Sequence, residues 1–152
     1  METEGLFTPD TRDAARNRYA ELRPVADVVV REVARAMDLS SEAFDRHVTE
    51  TVVETAQDAL FASMLEVTVG TRVEFETVCG KRDAELVQTG SENVDRVVWH
   101  APPFADRIVA TTFQDAREAA VGTLRRQAFG QLYRDILADP GDPDSDDRQE
   151  GE

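Results

Sequence analysis

Apolar residues recur at helical spacing through the first half of the chain. Asp10 is placed to cap a helix that runs to about Leu22, and Pro24 suits the first position of a second helix. Apolar side chains line one face of that second helix, and further valines widen the apolar face. We therefore expect this helix to be buried on more than one side. The apolar residues concerned are Val25, Val28, Val29, Val30, Val33 and Ala36.

A third helical stretch begins at Ser40 or Ser41 and ends near Ser63. Its apolar positions again follow the helical period, which predicts one continuous amphipathic helix. These positions are Phe44, Val48, Val52, Ala56, Leu60 and Phe61.

The hydrophobic period changes after this helix. From Leu65 the apolar and polar residues alternate until Gly70, the pattern of a strand with one face turned inward. Thr71 is followed by Glu74 three residues later, which is a capping box. It predicts a short helix that stops at Gly80.

Three more alternating segments predict strands, and their short connections favour antiparallel pairing. The segments run from about Glu85 to Thr89, from Asp95 to His100, and from Arg107 to Phe113. The fold class is therefore predicted to be α+β, with a helical N-terminal half followed by a small, mostly antiparallel four-stranded sheet. A short helix and a long C-terminal helix are expected to pack on that sheet.

The long C-terminal helix begins after Asp115, which forms a second capping box with Glu118, and it runs to about Leu137. Glycines inside a helix cost roughly 1 kcal/mol each relative to alanine. We therefore expect another part of the backbone to approach the helix closely at Gly122 and Gly130.

Domain organisation follows from the composition of the last residues. Residues 139–152 contain seven acids, one arginine and no apolar side chain, which predicts a disordered acidic tail. The remaining residues, 1–138, are expected to form a single α+β domain, because 152 residues suit one core.

Charge is the most informative feature of the composition. Asp and Glu number 31 against 17 Lys and Arg, which gives a net charge of -14, and Lys81 is the one lysine. Such an excess repels itself in dilute buffer but is screened in molar salt, where the Debye length falls to about 3 Å. We therefore expect an acidic protein from a halophile.

The cellular compartment is expected to be the cytoplasm. The first residues are acidic, unlike a secretory signal, and no apolar run is long enough to span a bilayer. Cys79 is the single cysteine, so no intramolecular disulfide can form.

Candidate ligand chemistry is concentrated at one predicted strand end. Trp99, His100 and Phe104 surround a rigid turn, Pro102-Pro103, where a pocket can form and where a histidine can exchange protons near neutral pH. These three residues are the predicted ligand-binding site. The alternative interpretation is that they only pack in the core, which aromatic residues near strand ends often do.

Other candidate sites are weaker. His47, Glu50, Glu54 and Asp58 fall at helical offsets that suit a cation, but a solvated acidic stripe explains them without one. We expect neither a metal ion nor a cofactor. Nucleic-acid binding is disfavoured, since the arginines of the last helix point to different sides.

Quaternary structure is suggested by the sheet. Two adjacent strands carry apolar residues on both faces, at Val97-Val98-Trp99 and Ile108-Val109. Both faces therefore need cover, from the N-terminal helices or from a second copy of the chain. The hypotheses are a homodimer and a monomer.

Four segments resemble an uncharacterised haloarchaeal protein family, a domain of unknown function. They are Glu4 to Pro9, Ala59 to Val67, Gly90 to Phe104 and Ala120 to Arg134. The resemblance extends over nearly all of the chain before the acidic tail. It implies a halophilic, cytoplasmic protein and supplies no activity and no functional residue.

Two functions remain open on the sequence. The leading hypothesis is a non-enzymatic interaction or structural protein of a halophile, because no catalytic motif is present. The alternative is a small-molecule-binding domain or an enzyme with its pocket near Trp99 and His100.

Overall fold

A computed structural model describes residues 1–138, so the predicted acidic tail lies outside the described residues. The strands are β1 (Glu2–Glu4), β2 (Val67–Thr71), β3 (Glu85–Thr89), β4 (Arg96–His100) and β5 (Arg107–Phe113). The α-helices are α1 (Arg12–Glu21), α2 (Arg23–Ala36), α3 (Ser41–His47), α4 (Glu50–Met64), α5 (Arg72–Gly80), α6 (Arg117–Ala128) and α7 (Arg134–Ala138). A π-helical turn, Phe129–Tyr133, joins α6 to α7.

The α+β class is confirmed, but the sheet differs from the prediction in strand number and in pairing. The described residues form a five-stranded mixed sheet in the order β1-β2-β4-β5-β3. The additional strand is β1, which pairs antiparallel with β2 and places a strand in the N-terminal half. Its three residues are too few to show an alternating pattern.

β3 pairs parallel with β5 and not antiparallel with β4, its neighbour in sequence. β5 pairs antiparallel with β4 and therefore occupies the position between β4 and β3. A short connection favours a hairpin, but burial outweighed it here, because β5 carries apolar residues on both faces and is better covered between two strands than at the edge of the sheet.

One face of the sheet packs against α1, α4 and α6. Phe61 of α4 is the centre of this core, with ring centroids 5.1 Å from Tyr133 and 5.5 Å from Phe7. The sheet contributes Val98 and Val109 to the same cluster. Edge-to-face aromatic packing of this kind stabilises beyond the area it buries.

The other face is covered by α5. Phe75 packs on Trp99, with ring centroids 5.1 Å apart, and Val97 and Ile108 complete this second cluster. The predicted capping box is confirmed at the start of the helix, where Thr71 and Glu74 exchange hydrogen bonds. The chain therefore covers both faces of its own sheet, and the sheet does not require a second copy.

Three helical predictions need correction at their ends. Thr11, and not Asp10, caps α1, because its side chain accepts from the amide of Ala14. The single helix expected over residues 40–63 is divided into α3 and α4, with Thr49 capping the second. Asp115 caps nothing, since α6 begins after Ala116 without a side-chain cap.

The glycines of the last helix are not sites of close backbone approach. A Cβ at Gly130 would meet nothing within 4 Å, and one at Gly122 would meet only the end of the flexible Arg126 side chain, at 3.8 Å. Close approach occurs at Gly70 in β2, where a Cβ would lie 3.0 Å from the Trp99 ring. The absence of a side chain at Gly70 leaves room for the edge of the Trp99 ring.

Candidate functional site

Trp99 and His100 are neighbours in β4, so their side chains point to opposite faces of the sheet. Trp99 is buried against Phe75 under α5. His100 is buried in the core on the other side, 5.7 Å from the Tyr133 ring. The two side chains are therefore not brought together, although both residues border one small cleft of about 250 Å³.

Both ring nitrogens of His100 are used in hydrogen bonds. Nδ1 lies 2.7 Å from the carbonyl oxygen of Glu66, which only accepts, so Nδ1 carries the proton and donates. Nε2 lies 2.7 Å from the Tyr133 hydroxyl and accepts from it. Burial lowers the pKa of His100 to about 4, and the positive charge of Arg125 acts in the same direction. His100 is therefore a neutral imidazole with both ring nitrogens hydrogen-bonded.

Phe104 is half-buried and meets the edge of the Tyr133 ring at 5.7 Å, away from the small cleft that Trp99 and His100 border. The Pro102-Pro103 turn beside it is fixed by Arg82, whose guanidinium donates to the carbonyls of Ala101, Pro102 and Ala105. The three predicted ligand-binding residues are thus not assembled into one pocket. Their ligand-binding role stays a prediction.

The candidate cation-binding residues on the N-terminal helices are also divided between two helices. His47 ends α3 while Glu50 begins α4, so they do not share a helix. Glu50 pairs with Arg23, and Asp58 accepts a hydrogen bond from the Tyr19 hydroxyl at 2.6 Å. Within residues 1–138, no three side chains of the types that bind metals are grouped closely enough to hold an ion.

An extended apolar surface lies on the N-terminal helices. A groove of about 690 Å³ runs between α2, α3 and α4, and we call it the valine groove. Its lining consists of Val29, Val30, Val33, Ala34, Met37, Leu39, His47, Val48, Thr51, Val52, Thr55, Ala56 and Ala59. Val33 is 53% exposed and Met37 is 64% exposed, and Val28 beside the groove is 58% exposed. The prediction that α2 is buried on more than one side is therefore wrong.

The small side chains that α2 buries against α4 explain why its valines remain exposed. α2 packs against α4, and its buried residues are the alanines Ala26 and Ala34. Alanine lets two helix backbones approach closely, and the larger residues on either side are then turned away from the contact. α3 has no buried residue, so it borders the groove without filling it.

Net charge differs between the helices that border the valine groove. Residues 23–36 of α2 carry three arginines and two acids, a net charge of +1. Residues 41–64, which form α3 and α4, carry five acids and one arginine, a net charge of -4. Among residues 1–138, however, no Arg, Lys, Asp or Glu lines the groove itself. Arg23, Glu54 and Asp58 border a separate cavity that lies next to α1 and α7.

These features define an α+β domain with a closed core and one open apolar groove on its helical layer. The chain belongs to DUF5809, a family of unknown function, whose model matches residues 6–134. Neither the curated proteins nor the solved structures contain a match. No helix among residues 1–138 combines the length and the apolar character needed to cross a bilayer.

Sequence reasoning identified the valines of α2 as apolar but assigned them to the core. The width of the apolar stripe was the available signal. Val25, Val28, Val29 and Val33 extend farther around the helix than contact with one neighbouring helix can cover. An apolar surface of this width needs either a second neighbour in the chain or a partner outside it.

Proposed function

We propose that this protein is a non-enzymatic interaction module that forms a homodimer through the valine groove. The observation that carries the proposal is the row of exposed valines on α2 beside an unfilled apolar groove. Contiguous apolar surface is rarely left in water on a monomer, and it marks docking sites. Burying it supplies the free energy of association.

The exposed valines of α2 favour a second copy as the occupant. In a twofold dimer the same surface meets itself, so α2 of one copy can lie against α3 and α4 of the other. The exposed valines of each copy then lie in the apolar groove of the other copy, so the same contact forms twice.

Other occupants suit the groove less well. Residues 139–152 contain no apolar side chain and cannot fill an apolar channel. Nucleic acid and anionic lipid surfaces repel a chain with a net charge of -14. The thirteen groove-lining residues supply about half of the roughly 20–30 residues that each partner contributes to a standard interface.

The acidic surface supports the further proposal that the dimer works in the salty cytoplasm of a halophile. Each copy carries a net charge of -14, so two copies repel each other in dilute buffer. The repulsion is screened when the Debye length falls from about 10 Å at 0.1 M salt to about 3 Å at 1 M. We expect the dimer to be stronger in molar salt.

Substitution of Val33 tests the proposal. Sedimentation equilibrium in about 1 M salt, where screening is strong, should give a dimer mass for the wild type. Val33→Glu places an unpaired charge at the centre of the interface and should give a monomer. Val73→Glu is the matched control, because Val73 is 69% exposed on α5, away from the groove, and the variant should remain a dimer.

Circular dichroism checks that both variants fold. We expect both to fold, because Val33 and Val73 are exposed. A wild-type mass equal to that of one chain across the concentration range would refute the dimer. Equal dissociation of the two glutamate variants would show that the contact lies elsewhere.

A further inference from the structure

A second cavity of about 430 Å³ lies on the other side of α4 from the valine groove. It is bordered by α1, the start of α2, α4 and the segment from the π-helical turn to α7. Ligand pockets are about 300–1,000 Å³, so this volume suits a small molecule. We call it the polar pocket, and its defining residues are Tyr19, Glu54, Asp58, Phe129, Arg134 and Leu137.

The floor of the polar pocket is buried and hydrogen-bonded. Tyr19, Phe129 and Leu137 are buried, and Gln57 below them donates its amide to the carbonyl of Tyr19 at 2.8 Å. The Tyr19 hydroxyl donates to Asp58 at 2.6 Å. Burial and the hydrogen bond to Asp58 raise the pKa of Tyr19 above its usual range, so this hydroxyl remains a donor.

The π-helical turn places a cation above the floor. Its closing hydrogen bond runs from the amide of Arg134 to the carbonyl of Phe129, five residues earlier. Residues five apart point to different sides of an α-helix, but this wider turn aligns them. The guanidinium of Arg134 consequently lies 5.3 Å from the centre of the Phe129 ring. π-Helical turns are frequent at functional sites.

The charged groups of the polar pocket retain binding capacity. Among residues 1–138, Arg134 meets the Phe129 ring and no carboxylate. A carboxylate offers about four acceptor positions, and in that same part of the chain Asp58 uses one of them, for Tyr19. Glu54 is exposed on the same helix as Asp58. The pocket therefore has a donor group at the start of α7 and acceptor groups on α4.

We propose that the polar pocket binds a small zwitterion, a molecule with an ammonium and a carboxylate joined by a short apolar chain. The ammonium binds Asp58 and Glu54, the carboxylate binds Arg134, and the chain lies on Phe129. A simple anion would meet two carboxylates, and a simple cation would meet Arg134 and Arg23. A molecule with both charges satisfies both walls at once.

Titration calorimetry with matched probes tests this proposal. Glycine, γ-aminobutyrate and ε-aminocaproate carry the two charges at increasing separation, while hexylammonium and caproate carry one charge each. We expect one zwitterion to bind at least about tenfold more tightly than either singly charged probe, because a hydrogen bond to a charged group contributes about 1.5–3 kcal/mol. The salt concentration should be the lowest at which the full chain is folded, since screening weakens exposed charge pairs.

Two substitutions assign the contacts. Arg134→Gln removes the cation, and Asp58→Asn removes the negative charge while keeping an acceptor for Tyr19. Each should weaken the zwitterion about tenfold or more, for the same loss of a charged hydrogen bond. Arg126→Gln is the control, because Arg126 lies on α6 outside the pocket and bonds Thr123.

Three results would overturn the proposal: no saturable binding of any zwitterion, equal binding of a singly charged probe, or unchanged binding by both pocket variants. Val33→Glu should keep zwitterion binding, because the two sites lie on different sides of α4. This variant separates a failure of the polar pocket from a failure of the dimer.

Discussion

The strands of the sheet and the helices α2 and α3 differ in how far their apolar residues are buried. Residues Val97–His100 of β4 are all buried, since one face is covered by α1, α4 and α6 and the other by α5. α2 contains five valines and three alanines, but its buried residues are Ala26 and Ala34. An apolar pattern therefore indicates where cover is needed, while the fold decides whether the chain supplies it.

Two short helices illustrate the difference. α5 has nine residues, and with Phe75 on Trp99 it closes the outer face of the sheet. α3 has seven residues beside the valine groove and buries none of them. α2 and α3 thus keep apolar surface that the rest of residues 1–138 does not cover.

The largest expected effect contrasts one core residue with one groove residue. Phe61 is 0% exposed, and its ring lies against four other aromatic rings. Phe61→Ala should lower the free energy of unfolding by about 3–5 kcal/mol, from lost burial and the cavity left behind. Val33→Ala should change the stability of the monomer by less than about 0.5 kcal/mol, as exposed substitutions do.

Urea unfolding followed by circular dichroism, at protein concentrations too low for dimerisation, measures both values. A similar loss for the two variants would mean that Val33 is buried within one chain. In that case the contrast between the covered sheet and the open helical layer would be wrong.

Acidification should lower the free energy of unfolding, because His100 is buried on the covered sheet in its neutral form. The unfolded pKa is 6.5 and the folded pKa is about 4, so the unfolded state binds the proton more readily. The stability from neutral His100 is complete above the unfolded pKa and is lost as the pH falls from there toward 4. The expected loss between about pH 7 and about pH 5 is on the order of 2 kcal/mol.

His100→Gln is the reference for this measurement. Glutamine removes the titrating group, so its free energy of unfolding should change less between the same two pH values. Other groups titrate in both proteins, and the difference between the two profiles isolates His100. Parallel profiles for the wild type and the variant would contradict a neutral, buried His100.

The alternating pattern predicted β2, β3, β4 and β5 close to their observed positions, because alternation follows directly from the pleat of a half-buried strand. The order of the strands could not be predicted in the same way. β3 and β4 are joined by a short connection, yet β5 lies between them. The position of β5 between β3 and β4 depends on its burial on both faces, and that burial is a property of the whole sheet.

The polar pocket had no local signal in the sequence. Tyr19, Asp58 and Arg134 are far apart along the chain and meet only through the packing of α1, α4 and α7. The π-helical turn that orients Arg134 has an ordinary helical pattern, and Gly130 within it was interpreted as a packing site. The capping box at Thr71 was predictable because its two partners are three residues apart.

The smallest expected effect concerns that capping box, which starts the helix covering the outer face of the sheet. The Thr71 hydroxyl accepts from the amide of Glu74 at 3.2 Å, and the Glu74 carboxylate accepts from the amide of Thr71 at 2.9 Å. Thr71→Ala removes the first bond and should lower the free energy of unfolding by about 1 kcal/mol. Thr71→Ser keeps a hydroxyl and should retain most of that stability.

Thr49→Ala is the matched change on the open side, since Thr49 caps α4 by accepting from the amide of Val52 at 3.3 Å. The same loss, about 1 kcal/mol, is expected there, because a cap stabilises its own helix whatever covers the helix. Only Thr71→Ala should also increase hydrogen exchange at β4, which depends on α5 for cover. Equal exchange at β4 in the two variants would mean that α5 does not protect the outer face of the sheet, and the contrast between the two regions would then rest on Phe61 and its neighbours alone.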